Sequence, residues 1–112
     1  MKTNLTSSVK IFISADPEKQ HGSLSRGTAA LLRGVQEYGS LNKAAQSMGM
    51  AYSKAWGLIN KLEDNFQFKF IVRAGANGSH LTDEGAKLLD SYYAIEKEAE
   101  ELVRMRVSEI TL

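Results

Sequence analysis

Residues 39–56 read GSLNKAAQSMGMAYSKAW, and this stretch decides the fold of the chain. Behind Ser40, a favoured N-cap residue, a first apolar face recurs at helical spacing and consists of Leu41, Ala44, Ala45 and Met48. Gly49 follows, where the backbone must reach a positive φ that other residues resist. A second apolar face then consists of Ala55, Ile59, Leu62 and Phe66. Two short amphipathic helices around a glycine turn indicate a helix-turn-helix, whose second helix reads the DNA major groove.

The composition fits a single small domain. A length of 112 residues with 43% apolar side chains is enough for one core and leaves room for an extended arm. The absence of cysteine excludes disulfides and thiolate metal sites. No apolar run approaches the roughly 18 residues that span a membrane, and the N-terminus lacks the pattern of a signal peptide. We therefore expect a cytoplasmic protein with no membrane partner.

The net charge of +1 hides an uneven distribution of charge along the chain. Residues 26–80 carry seven basic and three acidic side chains, whereas residues 81–112 carry four basic and eight acidic ones. A positive middle suits phosphates, and an acidic end is repelled by them. Ordinary solvated faces would give similar counts, but the positive segment coincides with the helix-turn-helix, and this makes the asymmetry informative.

Further elements are predicted on the N-terminal side of the helix-turn-helix. The period-2 alternation of Val9, Ile11 and Ile13 predicts a strand, and Asp16-Pro17-Glu18 predicts a turn after it. A first helix is expected over residues 25–38, with Leu31 half-buried, and the helices of the central motif over residues 41–48 and 51–66.

On the C-terminal side, the pattern predicts a β-hairpin and a long last helix. Residues 68–73 alternate as a strand, Asn77-Gly78 is a strong hairpin signal, and Leu81 returns as a very short strand. Thr82 is the expected cap of a helix that extends to about residue 107. The predicted fold is mainly α with a β-hairpin wing, a winged helix-turn-helix of the α+β class. Its segments are an N-terminal strand and loop (1–24), a DNA-binding core (25–82) and a C-terminal dimerisation helix (83–112).

The chain resembles a known family over roughly residues 9–95. The stretches GSLNKAA, GMAYSKAW and LTDEGAKLL are similar to the N-terminal DNA-binding domain of the ModE family of molybdate-responsive repressors, and more distantly to LysR-type regulators. The resemblance implies DNA binding and homodimerisation. The wing at residues 74–80 is shorter and has fewer glycines than in ModE. Members of the family also carry a C-terminal oxyanion-binding domain, for which these residues leave no room, so molybdate sensing is not implied.

The motif predicts which side chains meet double-stranded DNA. Tyr52, Ser53 and Lys54 lie in the first turn of the recognition helix and are expected to contact bases. Phosphates are expected at Ser40 and Lys43, which begin the preceding helix, and at Arg73 in the wing; Asn77 lies at the wing's tip. Asn60 is either a further DNA contact or part of a solvated face. Trp56 is expected to pack at the helix junction rather than touch DNA.

The last helix carries a seam of apolar residues with the spacing of a coiled coil. Its members are Leu88, Tyr92, Ile95, Ala99 and Leu102. Packing against the chain's own domain would explain Leu88 and Tyr92, whereas the part beyond Ile95 projects past so small a domain and favours a partner helix. The seam therefore predicts a homodimer, and the N-terminal strand is a second candidate for its interface.

Nothing in the sequence resembles catalytic machinery. His21 and His80 are far apart and no carboxylate cluster joins them, so no metal site is expected, and the glycine turn at residues 75–78 lacks the pattern of a nucleotide-binding loop. We expect no enzyme and no cofactor. The sequence thus predicts a homodimeric transcriptional regulator on a palindromic operator. The alternatives are a winged-helix adaptor between proteins and a sensor of an unidentified small molecule.

Overall fold

The computed structural model describes residues 4–18, 21–75 and 78–112 and contains four helices and one hairpin. In chain order these are α1 (Arg26–Tyr38), α2 (Leu41–Ser47), α3 (Tyr52–Phe66), β1 (Ile71–Arg73), β2 (Ser79–Leu81) and α4 (Asp83–Ser108). The strands β1 and β2 pair antiparallel, with Ile71 opposite Leu81 and Arg73 opposite Ser79. The predicted fold class, a winged helix-turn-helix, is confirmed.

The first three helices pack closely because their contact residues are small. A Cβ on Gly34 of α1 would lie 2.8 Å from the Cβ of Ala44 in α2, so only glycine fits this crossing. Gly39 ends α1, and Gly49 makes the turn before α3, both at positive φ. Two expectations are corrected. Leu31 is fully buried, and Met48 is 39% exposed because α2 has already ended.

The N-terminal strand predicted at Val9–Ile13 is wrong. Only Ile13 forms a bridge, with Leu24, because the element that lies beside the rest of the segment is helix α4 and not a strand. The Tyr92 hydroxyl of α4 lies 3.4 Å from the carbonyl oxygen of Ile11. The alternation nevertheless identifies the inward side chains, since Ile11 and Ile13 pack against the core.

Asn65, near the end of α3, holds the loop that follows this segment. Its side chain is almost fully buried, and its Oδ1 accepts hydrogen bonds from the Ala15 amide at 2.9 Å and the Asp16 amide at 3.4 Å. Its Nδ2 donates to Ser14 Oγ at 3.0 Å and to the His21 carbonyl at 3.2 Å. One amide therefore fixes residues 14–16 and His21 against α3.

The hairpin begins later than the predicted strand over residues 68–73. The Glu63 carboxylate of α3 accepts the amides of Phe70 and Ile71 at 2.7 and 3.3 Å, so these amides face a helix side chain. Opposite Phe70 the chain has already turned at Thr82 into α4. The Ala74 amide donates to the Gly78 carbonyl at 2.8 Å across the hairpin loop. Asn77 lies outside the described residues.

Helix α4 runs from Asp83 to Ser108, as the sequence predicts, with Thr82 as its cap. The predicted seam is corrected at Tyr92, which is fully buried in the core of its own protomer and is not available to a partner. Leu88 is half-buried and also packs against that core. The residues of α4 that are buried are Gly85, Leu89 and Tyr92.

The buried position of Tyr92 makes the stability of the fold decrease at alkaline pH. Burial, together with the hydrogen bond to Glu96 Oε2 at 3.1 Å, raises the pKa of the Tyr92 phenol from 10.0 to about 12. Because the pKa of the folded state lies above that of the unfolded state, this stabilisation is complete below about pH 10 and is lost as the pH rises towards 12. A tenfold change in an acid dissociation constant corresponds to about 1.4 kcal/mol, so the loss of stability is at most about 3 kcal/mol.

We expect Tyr92→Phe to remove this part of the alkaline destabilisation. The variant should be about 1 kcal/mol less stable at neutral pH, because a buried hydrogen bond is lost. Urea unfolding of both proteins between about pH 8 and 11.5 measures the effect. Equal losses of stability with pH in the two proteins would contradict the assignment.

Candidate nucleic-acid interface

Helix α3 has one buried face and one open face. Ala55, Ile59 and Leu62 are fully buried, which turns the opposite face outwards. Ser53, Lys54 and Lys61 are exposed on that side. A helix of 15 residues is about 22 Å long and fits into the major groove of a duplex. The structure thus presents the first-turn residues Ser53 and Lys54 to the outside.

An aromatic stack joins α3 to the wing. Tyr52 and Trp56, one turn apart, meet edge to face with ring centroids 6.2 Å apart. The Arg73 guanidinium at the end of β1 lies 4.0 Å from the centroid of the Trp56 ring. Such a cation–π contact is attractive and holds the guanidinium in place. Trp56 also packs against the core, as the sequence predicts, and its indole N–H is buried without a hydrogen-bond partner among the described residues.

Arg73 stands between two grooves. The smaller has a volume of about 290 Å³, and its lining includes Ser40, Asn42, Tyr52 and Arg73. The larger, of about 640 Å³, lies between α3 and β1, and its lining includes Trp56, Asn60, Lys69 and Arg73. The fold therefore brings Ser40 and Tyr52 together with Arg73 on one side and Asn60 on the other.

Three of the predicted contact residues stand apart from these grooves, namely Lys43, Ser53 and Lys54. Lys43 is exposed on α2, where its backbone amide donates to Ser40 Oγ at 3.2 Å, so Ser40 is also the cap of that helix. Lys54 is exposed on α3 and lines neither groove. Both side chains point their charge towards solvent rather than into the core.

The wing has a fixed position relative to the helices. The Ser79 amide of β2 donates to the Gly39 carbonyl at the end of α1, at 2.9 Å. At the other end of the hairpin, the Thr82 hydroxyl donates to the Lys69 carbonyl at 2.6 Å. The Glu63 carboxylate adds its hydrogen bonds to the start of β1. These contacts hold the hairpin, and with it Arg73, against the helices.

Sequence reasoning missed the grouping of Trp56 with Arg73 and the presence of Lys69 beside them. The spacing of Tyr52 and Trp56 signals a contact within one helix. No local pattern reports a contact between Trp56 and a residue that lies in a different element. In the sequence, Lys69 is only one charge of the positive segment; in the structure its Nζ lies 3.4 Å from Glu63 Oε1.

The far half of α4 has a different character from the interface. Ile95 and Leu102 are 47% and 54% exposed, and Ala99 between them is half-buried. Beside these three residues, the guanidinium of Arg26 in α1 forms two ion pairs with α4. Its Nε lies 3.5 Å from Glu96 Oε2 and its Nη2 lies 3.8 Å from Glu100 Oε1. Ile95, Ala99 and Leu102 of the seam thus remain accessible, Leu88 is partly accessible, and Tyr92 is closed to a partner.

Neither a membrane span nor a metal cluster occurs among the described residues. None of the described helices is both long enough and apolar enough to cross a membrane. Within residues 4–18, 21–75 and 78–112, no three histidines, cysteines or carboxylates lie close enough together to hold a metal ion.

Comparison with known proteins places the chain in a family. The model of the family described as "Bacterial regulatory helix-turn-helix protein, lysR family" matches residues 27–86, which is more than half of the chain. The "Transcriptional regulator ModE" of Yersinia pestis is 34% identical over 67 residues, which are 56% of this chain and 26% of that protein. The "Molybdenum transport protein ModE" of Azotobacter vinelandii is 29% identical over 96 residues, 80% of this chain and 36% of that protein. The resemblance predicted from the sequence is confirmed.

Proposed function

We propose a function on one premise, which is that the chain belongs to the lysR family of bacterial regulatory helix-turn-helix proteins. The protein is a DNA-binding transcriptional regulator that acts in the cytoplasm as a homodimer on a palindromic operator. Since the chain spans about a quarter to a third of the length of the two relatives, no effector is assigned to it.

One observation carries the proposal: α3 keeps its lysines exposed opposite its buried face, and the wing arginine is held against the same helix. Lys54 and Lys61 are exposed on the recognition helix, and Arg73 is held beside that helix by Trp56. Positive charge around a helix that fits the major groove suits the phosphates on both sides of that groove. The acidic surplus lies in residues 81–112, which a DNA-bound orientation directs away from the duplex.

The proposed roles follow from position. Tyr52, Ser53 and Lys54 contact base edges from the first turn of α3. Ser40, Lys43 and Arg73 bind phosphates on either side of it. Asn77, which lies outside the described residues, is a further contact on the basis of the sequence. Asn60 reaches DNA only through the larger groove, where it lies with Arg73.

The proposed dimer uses the exposed part of the seam on α4. Ile95, Ala99 and Leu102 follow the spacing of a coiled coil on a helix that extends beyond the core. Pairing of two such helices around a two-fold axis places two recognition helices on one side of the duplex. The half-sites are then inverted and about 34 Å apart, or a multiple of this distance.

Selection of bound duplexes from a random pool tests the proposal. Enrichment of an inverted repeat supports a dimeric DNA-binding regulator. Enrichment of a single unrepeated site would support DNA binding and contradict the proposed dimer. No enrichment would overturn the proposal and favour an adaptor that uses the winged helix to bind protein.

We expect Lys54→Ala to weaken binding to the selected duplex by about 5- to 150-fold per recognition helix, since a specific base contact contributes about 1–3 kcal/mol. Thermal melting should be unchanged because Lys54 is exposed. Lys97→Ala, which removes an exposed lysine from α4, is the matched control and should bind like the wild type. Equal affinities of wild type and Lys54→Ala would remove this residue from the interface.

A further inference from the structure

Gly57 lies in the interior of α3, where neither the backbone conformation nor the packing of the protomer requires a glycine. Its backbone is not among those with positive φ, so its conformation is one that any residue adopts in a helix. A Cβ built on it meets no heavy atom of the described structure within 4 Å. By contrast, a Cβ on Gly22 would overlap the carbonyl oxygen of Lys61.

Glycine at this position weakens the helix. It loses more conformational freedom on folding than alanine does, and it buries no side chain. Alanine would fit within the protomer and would stabilise α3. The protein therefore keeps an unfavourable residue at a place where its own packing does not require one.

The neighbours of Gly57 indicate what it faces. Ser53 lies one turn before it and Lys61 one turn after it, at the helical spacing of four residues, and both are exposed. Lys54, three residues before it, is exposed as well. Gly57 therefore leaves the backbone uncovered by a side chain on the open face of α3. Along the helix, a lysine lies on each side of it.

We propose that Gly57 determines how deeply α3 enters the major groove and so contributes to specificity. This inference rests on the proposed function. The absence of a side chain lets the helix backbone come close to a base edge or a thymine methyl, while Lys54 contacts a base edge and Lys61 reaches a phosphate. Any side chain at position 57 occupies this space and lifts the helix from the groove. The flanking lysines favour a nucleic acid over an apolar protein partner.

The test compares Gly57→Ala and Gly57→Gln with the wild type on the selected duplex. Gly57→Ala should raise the melting temperature by roughly 2–8 °C and lower the affinity by about tenfold or more. Gly57→Gln, whose side chain is longer and still favours a helix, should lower the affinity further. The opposite signs separate a contact with DNA from a structural defect, because a damaged fold would lower both quantities.

Gly27→Ala is the matched control. Gly27 is also helical, and a Cβ there also meets nothing within 4 Å, but it lies at the start of α1 beside Arg26. Its substitution should leave DNA affinity unchanged. If the wild type binds the duplex and Gly57→Ala binds equally well, the inference is overturned and the proposed function stands. If the wild type binds no duplex, both are overturned.

Discussion

Affinity for the selected duplex is expected to fall by about 10³- to 10⁵-fold between about 50 and 200 mM salt, as for a protein that makes about 6–10 phosphate contacts. The reason is the release of counterions when lysines and arginines neutralise phosphates. Two copies of Lys43, Lys61 and Arg73 supply about six such cationic contacts, which lies within this range. Fluorescence anisotropy with a labelled duplex across a salt series gives the slope of log affinity against log salt.

Arg73→Ala refines this measurement. Each protomer should lose one phosphate contact, which reduces the slope by about one per contact and weakens binding to all sequences alike. Lys97→Ala on the distant part of α4 should keep the wild-type slope. Affinity that does not respond to salt would contradict the phosphate contacts and favour the adaptor. A wild-type salt slope in Arg73→Ala would show that Arg73 makes no phosphate contact and would leave the other proposed contacts in place.

The double substitution Ile95→Asp with Leu102→Asp is expected to produce a monomer. It places a pair of unpaired carboxylates on the strip through which the two α4 helices are proposed to pair, and burial of such charges is strongly unfavourable. A monomer contacts one half-site only. Binding should then approach that for unrelated duplexes, which corresponds to a loss of about 10³-fold or more.

The design separates loss of the dimer from loss of the fold. Ile95 and Leu102 are exposed in the protomer, so its helix content and thermal melting should change little apart from the effect of dissociation. Ala94→Asp adds a carboxylate at another exposed position of α4 and should leave the dimer intact. Sedimentation velocity measures the assembly of all three proteins. A double variant that remains dimeric would place the interface elsewhere, and Phe12, which is 72% exposed near the N-terminus, is then the next position to test.

The helices could be predicted from the sequence because their signals are local. The bounds of α1, α3 and α4 follow from caps and from stripes that a few neighbouring residues define. Strands need partners, and a pattern does not name them: Ile11 and Ile13 alternate correctly and yet lie beside a helix. For the same reason the hairpin starts only at Ile71, because the Glu63 carboxylate accepts the amides of Phe70 and Ile71.

The candidate site was predictable only in part. The motif locates the open face of α3, and the exposed positions of Ser53 and Lys54 agree with it. Whether the residues predicted to touch DNA do so stays a prediction. The stack of Arg73 on Trp56 joins separate elements, and the hydrogen bonds of Asn65 reach residues about 50 positions away, so neither has a signature in local sequence. The periodicity of α4 likewise does not tell which side its own core occupies.

The contact between Trp56 and Arg73 gives the protein a built-in optical reporter. Trp56 is the only tryptophan of the chain, so the entire indole emission originates between the recognition helix and the wing. The Arg73 guanidinium lies 4.0 Å from the ring, and its charge influences the emission of the indole. A displacement of the wing that moves Arg73 away from the ring should therefore change the emission wavelength and intensity. Movements of the wing in solution are therefore visible in the unlabelled wild-type protein.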